Sequence, residues 1–317
     1  MDLHQEILDA VARVELFARR TTMSHSRSFS RLLDGEVYFK LESQQVTGSF
    51  KVRGALNKIL GMTDLEKERG VYSASTGNHG AAVAYASSKA KIDCSIYVPE
   101  GSSDAKLSNM KNYGANITIF GNDCVEAEAR AREVSSQDQV TYVSPYNDIQ
   151  VVAGQGTLGM EIESQSEELD AIIISVGGGG LMAGTASYLR SAWPNIKIIG
   201  CSPENSAVMI HSMEAGEVLE LESTPTLSDG TAGGVEKNSI TFPLCCNLID
   251  DTVLVTEDEI KNAMVLYMQH EHQLLEGAAG TAVAALLKMK DELKGKKVAV
   301  VICGGNIGLD TLRQVIS

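Results

Sequence analysis

The chain has 317 residues, 44% hydrophobic and 21% charged, enough to bury a sizeable core in two modest domains or one large one. Its 27 Lys and Arg stand against 41 Asp and Glu, a net charge of −14, and only 5% of residues are aromatic, which argues against nucleic acid or an anionic membrane surface as partner. A small-molecule ligand is the expectation.

The first twenty residues, MDLHQEILDAVARVELFARR, mix acids with apolar positions at helical spacing and lack the order of a signal peptide, so they read as a surface helix. After Ser49, apolar residues recur at Phe50, Val52, Ala55, Leu56, Ile59 and Leu60, which predicts a helix with Thr47 or Ser49 as its N-cap and Lys51 in its first turn. That end of a helix carries partial positive charge and disfavours an ammonium. Lys51 is therefore either a solvated surface lysine or one wanted in its neutral, nucleophilic form.

From residue 70 short strands and helices alternate: VYSAS, HGAAVAYASSK, CSIYVP, DAKLSNMKNYG, NITIF, CVEAEARAREV and VTYVS. The second half repeats the alternation with AIIISV, LMAGTASYLRSAW, IKIIGCSP and AVMIHSMEAGE, then turns aperiodic from Leu221 to Asn238. EIKNAMVLYMQHE, GTAVAALLKMKDEL, the strand KVAVVIC and the helix DTLRQVI follow. Such alternation predicts parallel βαβ units in two open α/β lobes, with 1–69 and 148–317 forming the large one and 70–147 the small. A cleft between lobes, at the C-terminal ends of parallel strands, is where ligands bind in such folds. The longest mostly apolar run, AIIISVGGGGLMAGTA, is broken by four glycines and falls short of the ~20 residues that span a bilayer. None of the six cysteines forms a C-x-x-C pair, so a reduced, cytoplasmic setting is the default.

Three glycine-bearing turns follow predicted strands and open helices. In SVGGGGLMAG, four consecutive glycines let backbone amides converge on an anion at the start of the next helix. Gly178, Gly180 and Ala183 also satisfy a G-x-G-x-x-A fingerprint, with Glu204 near the place of a ribose-binding acid, so a nicotinamide-dependent oxidoreductase stands as the rival. In SASTGNHGAA, Ser75, Thr76, Asn78 and His79 crowd a strand-to-helix junction, where they either hold a carboxylate or merely cap the helix through Ser75 or Thr76. In VICGGNIGLD, Cys303 closes a strand at the cleft, or is simply a buried structural cysteine.

Taken in order, T-G-S-F-K-x-R-G-A, S-T-G-N-H-G, G-G-G-G-L and C-G-G-N resemble the signature set of fold-type II pyridoxal-phosphate enzymes, the serine/threonine dehydratase (ammonia-lyase) and serine racemase family. The likeness runs over nearly the whole chain and implies a tryptophan synthase β-like fold with pyridoxal 5'-phosphate in the cleft. On that resemblance Lys51 is the Schiff-base lysine, and Gly177, Gly178, Gly179 and Gly180 with Leu181 cradle the cofactor phosphate. Asn78 then contacts the ring hydroxyl, Phe50 lies beside the ring, Cys303 faces the ring nitrogen in place of the usual serine, and Glu276 is an acid near the ring. Ser75, Thr76, Asn78 and His79 bind the substrate, with Thr76 where racemising relatives carry a serine acid/base. A neutral partner at the ring nitrogen suits β-elimination over transamination.

The implied activity is dehydration and deamination of a β-hydroxy amino acid, L-threonine or L-serine, to a 2-oxo acid and ammonia, by a cytoplasmic homodimer. Racemisation is the alternative, as are hydroxyaspartate, phenylserine or a hydroxyectoine-derived substrate, read through the span around Ser228, Asp229 and Gly230. A β-replacement synthase would read T-S-G-N-T-G at the asparagine loop. Ser202 and Val208 stand where metal-assisted relatives carry acids, leaving Glu204 alone, so no activation by magnesium or calcium is expected. With one helix after Cys303, isoleucine feedback is not expected either, and a catabolic role follows.

Overall fold

The computed structural model describes residues 2–317. In chain order its strands are β1 (Met23–Ser26), β2 (Glu36–Leu41), β3 (Val71–Ala74), β4 (Cys94–Val98), β5 (Asn116–Ile119), β6 (Thr141–Tyr142), β7 (Ala171–Ser175), β8 (Lys197–Pro203), β9 (Asp251–Val255) and β10 (Lys297–Ile302). Six of them form one sheet in the order β1-β2-β10-β7-β8-β9, and the other four form a second sheet in the order β5-β4-β3-β6.

The strands β2, β10, β7, β8 and β9 run parallel, as do all four of the smaller sheet. Continuous apolar stretches such as AIIIS explain the first case: every residue of β7 is buried, as expected of a strand covered by helices on both faces. One strand departs from the parallel expectation. β1 pairs antiparallel with β2, Met23 opposite Lys40, because only the short Arg27–Leu33 helix separates the two strands.

Lys51 opens the Lys51–Leu60 helix, which is wedged between two layers. Val52, Ala55, Leu56 and Ile59 join Val71, Ala82, Val83 and Ile96 in the core over the smaller sheet. On its other side the helix crosses the Ile149–Gln165 helix at Gly54 and Gly154, so closely that a Cβ at Gly154 would lie 2.5 Å from the Arg53 carbonyl oxygen and 2.7 Å from the Gly54 Cα. Glycines at this crossing let the backbones touch, and the contact sets the height at which Lys51 meets the cleft.

The expected caps are absent. Phe50, not Thr47 or Ser49, is the N-cap of the Lys51 helix and makes no side-chain cap bond, because residues 48–50 instead hydrogen-bond to the strand-end segment 303–305. Among the described residues, no helix is long and apolar enough to cross a membrane.

Candidate active site

β3, β7 and β10 all point their C-terminal ends at one cavity of about 520 Å³, and the turn after each contributes to its wall. Ser75, Thr76 and Asn78 come from the first turn, Gly177 to Leu181 from the second, Cys303 and Asn306 from the third, with Phe50, Lys51 and Glu276 completing the wall. Chain segments more than two hundred residues apart thus meet in the space that open α/β sheets reserve for ligands.

Lys51 donates from Nζ to the Pro145 carbonyl at 3.0 Å. Among the described residues no carboxylate lies within ion-pair distance of it. Desolvation pushes its ammonium down from the usual value to about 8, with Cys303 and Glu276 opposing weakly. An amine so placed is neutral in about a tenth of molecules at pH 7, far more than an ordinary lysine, and the neutral form is what a nucleophile or proton acceptor requires.

The turn after β7 is built for an anion. Gly179 has φ +82° and opens the Gly180–Ala192 helix without any side-chain cap, so the first amides of that helix are free to face a ligand. At Gly178 a Cβ would run into the Tyr146 ring, so no side chain fits between the turn and its neighbour. Thr241 Oγ1 donates to the Gly178 carbonyl at 2.6 Å and holds the turn from behind.

At the opposite wall the Asn78–Ala90 helix begins with Gly77 as N-cap and no side-chain cap. Ser75 Oγ accepts from the Gly77 amide at 3.1 Å, so neither Ser75 nor Thr76 caps the helix, as the simpler reading of that turn required. Asn78 Nδ2 lies 2.9 Å from both Glu276 oxygens, and its Oδ1 accepts from Asn306 Nδ2 at 2.7 Å. Burial pushes the Glu276 carboxyl up to about 7 against the opposing hydrogen bond from Asn78. The Cys303 thiol, 4.0 Å from Glu276 Oε1, is held well above its ordinary range by burial and by that carboxyl, so it stays a neutral donor.

His79 lines the cavity but is itself buried, and its Nε2 donates to the Val143 carbonyl at 2.9 Å. Desolvation and the nearby Lys51 lower it to about 3, so the imidazole is neutral. Ser202 turns its hydroxyl to the Val176 carbonyl at 2.7 Å. The structure also adds groups that sequence alone did not single out. Tyr146 packs over the glycine turn, Pro145 orients the lysine, and Lys106 reaches Asp229 across the cavity at 3.6 Å. Asn306 was visible as the last letter of C-G-G-N; Tyr146 and the Pro145 carbonyl carry no sequence signal.

These residues fit pyridoxal phosphate: the side-chain-free, uncapped turn suits a phosphate, and the half-buried Lys51, with no ion pair among the described residues, suits an aldehyde. Known proteins agree. The chain is 38% identical over 314 residues to the L-threonine ammonia-lyase of Thermotoga maritima, covering 99% of this chain and 78% of that one. It is 37% identical over 319 residues to the serine racemase of Dictyostelium discoideum, covering 99% and 97%. The structure of processed threonine deaminase isoform 2 from Solanum lycopersicum superposes with a TM-score of 0.94 at 32% identity, covering 99% of this chain and 92% of that one. Residues 14–304 match the family described as pyridoxal-phosphate dependent enzyme, and the chain belongs to that family.

Proposed function

We propose that this chain is a pyridoxal-phosphate-dependent ammonia-lyase that dehydrates and deaminates a β-hydroxy amino acid, L-threonine or L-serine, to the 2-oxo acid and ammonia. The observation that carries it is Lys51: a half-buried amine, held by the Pro145 carbonyl, with no carboxylate of the described residues within ion-pair distance, and sharing one cavity with an uncapped glycine turn. Relatives named for threonine deamination along the full length support the same reading.

The amides of Gly177 to Gly180 would hold the phosphate of pyridoxal phosphate, Asn78, Cys303 and Phe50 would hold its ring, and Lys51 would receive its aldehyde. The cofactor, when bound, supplies an electron-withdrawing ring that acidifies the Cα proton of an attached amino acid. Lys51 Nζ takes that proton, and its lowered affinity for protons keeps it available for the task. Ser75, Thr76 and the free amides at the start of the Asn78 helix orient the substrate carboxylate, with His79 held neutral behind them. The proton taken by Lys51 goes to the departing β-hydroxyl, which leaves as water, and the released enamine takes up water to give the 2-oxo acid and ammonia. Cys303, as a neutral thiol, would offer the cofactor ring a partner without charge, which would suit elimination.

Racemisation is the second reading, favoured by the 37% identity to a serine racemase and by the Thr76 hydroxyl at the cavity wall. We place the enzyme in the cytoplasm as a homodimer, with residues 70–147 moving as a unit to close the cleft. The test is direct. Purified chain supplied with pyridoxal phosphate should convert L-threonine to 2-oxobutanoate and L-serine to pyruvate, and Lys51→Ala should not; equal turnover by the Lys51 variant would end the proposal.

A further inference from the structure

Behind the cavity, and touching none of it, lies a buried ionic cluster that the mechanism above leaves unused. Arg53 is the largest fully buried side chain among the described residues. Its Nε and Nη2 grip Glu42 Oε2 and Oε1 at 2.7 and 2.8 Å, and its Nη1 donates to Glu161 Oε1 at 2.7 Å and Thr157 Oγ1 at 3.3 Å. Nη2 also reaches the Arg19 carbonyl at 3.5 Å, which engages the last donor of the guanidinium. Glu161 Oε2 accepts from Lys40 Nζ at 2.6 Å, so two cations face two carboxylates with no charge left over. Well-packed apolar side chains would stabilise the fold as well or better, so the cluster calls for a reason other than stability.

Its placement supplies one. Glu42 directly follows β2 and Arg53 stands in the first turn of the Lys51 helix, so their two-pronged contact closes the base of the loop that carries Gly48, Ser49, Phe50 and Lys51. The tip of that loop is pinned separately: Phe50 N–H donates to the Cys303 carbonyl at 3.0 Å, Gly305 N–H to the Gly48 carbonyl at 2.9 Å, and Asn306 Nδ2 to the Thr47 carbonyl at 2.8 Å. Nearer the tip the buried hydroxyls of Thr47 and Ser49 have no protein partner, while at the other end of the loop the Gln45 side chain bonds to the Arg19 backbone and the Val46 amide. Two residues apart on a helix, Arg53 and Lys51 project roughly 200° from one another, so anchoring the guanidinium away from the cleft directs the amine into it.

We propose that Arg53 is a positioning residue: clamped to Glu42 and Glu161, it fixes the loop and helix start that aim Lys51 at the cofactor. This rests on Lys51 being the cofactor-binding amine. A merely structural cluster would set the melting temperature and leave the affinity for pyridoxal phosphate in folded protein untouched.

The test uses E42M/R53M, which removes one pair and leaves Glu161 matched with Lys40, and R53K, which keeps the charge without the fork. Pyridoxal phosphate affinity and capture rate are read from the visible absorbance, well below each variant's melting temperature, alongside kcat and KM for L-threonine. The expected result is cofactor binding weakened about tenfold or more in E42M/R53M, and less in R53K, with kcat falling while KM changes little. A folded E42M/R53M with wild-type affinity and kcat overturns the proposal, and if that variant does not fold, R53K decides it by the same readings. A wild-type chain that takes up no pyridoxal phosphate overturns the cofactor reading and this inference with it; wild-type uptake matched by the variants overturns this inference alone.

Discussion

The amide nitrogen of Asn78 lies 2.9 Å from both carboxylate oxygens of Glu276, joining the first turn of one helix to the start of another 198 residues away. Burial raises this carboxyl from about 4.5 to about 7. The folded chain therefore holds its proton more tightly than the unfolded chain. The stability this contributes is fully present below pH 4.5 and is lost as pH rises through about 7, a change on the order of 3 kcal/mol. Urea unfolding of the apoprotein and of Glu276→Gln across pH 4.5 to 8 should show wild type losing that much relative to the variant. A constant difference across the range would mean that Glu276 titrates normally.

Lys51 must lose its proton before it attacks an aldehyde. With its ammonium at about 8, the rate at which apoprotein captures pyridoxal phosphate should rise roughly tenfold per pH unit below 8 and level off above it. Stopped-flow absorbance from pH 6 to 9 checks this. Lys51→Ala should show no such phase and turn over L-threonine at least ~10³-fold more slowly. A capture rate independent of pH would sink the assignment of a neutral amine to Lys51.

Gly178 has no room for a side chain, because a Cβ there meets the Tyr146 ring. Gly178→Ala should cost about 1 to 3 kcal/mol through overpacking and weaken cofactor binding about tenfold. Adding Tyr146→Ala should recover part of the loss. Gly234→Ala, whose Cβ meets nothing within 4 Å, serves as the control and should bind as wild type does. Equilibrium titration with pyridoxal phosphate distinguishes these, and an unimpaired Gly178→Ala would remove the glycine turn from the cofactor cradle.

Thr76 lines the cavity, and on the racemisation reading its hydroxyl would serve as the acid/base, with its methyl group restricting approach. Thr76→Ser should raise the ratio of racemisation to elimination on L-serine about tenfold, measured by chiral chromatography beside pyruvate release. Thr76→Ala should abolish whatever D-serine is formed. If the ratio is the same in all three proteins, Thr76 does not act on the substrate.

The sequence by itself determined the parts whose information is local. Alternating strands and helices from residue 70 predicted the parallel pairing of β3 to β6, and the four glycines after AIIISV predicted a turn that opens a helix, because strand length, helical period and glycine's backbone freedom act within a few residues. Lys51 was legible in the first helical turn for the same reason, and the ordered motifs carried the family. Other elements passed unnoticed: β1 and β2, β9, and the Ile149–Gln165 helix, whose run from Val151 to Gly159 is buried on every side and therefore lacks the polar face that makes a helix readable.

Only the tertiary structure decided which groups meet. The Asn78–Glu276–Asn306 contacts, the Arg53–Glu161 arm of the clamp and the Phe50–Cys303 bond at the start of the Lys51 helix join segments far apart in the chain. A hydrogen bond between residues 42 and 53 or 78 and 276 leaves no periodicity behind, since its geometry exists only once the two sheets have packed and brought both partners to the same place.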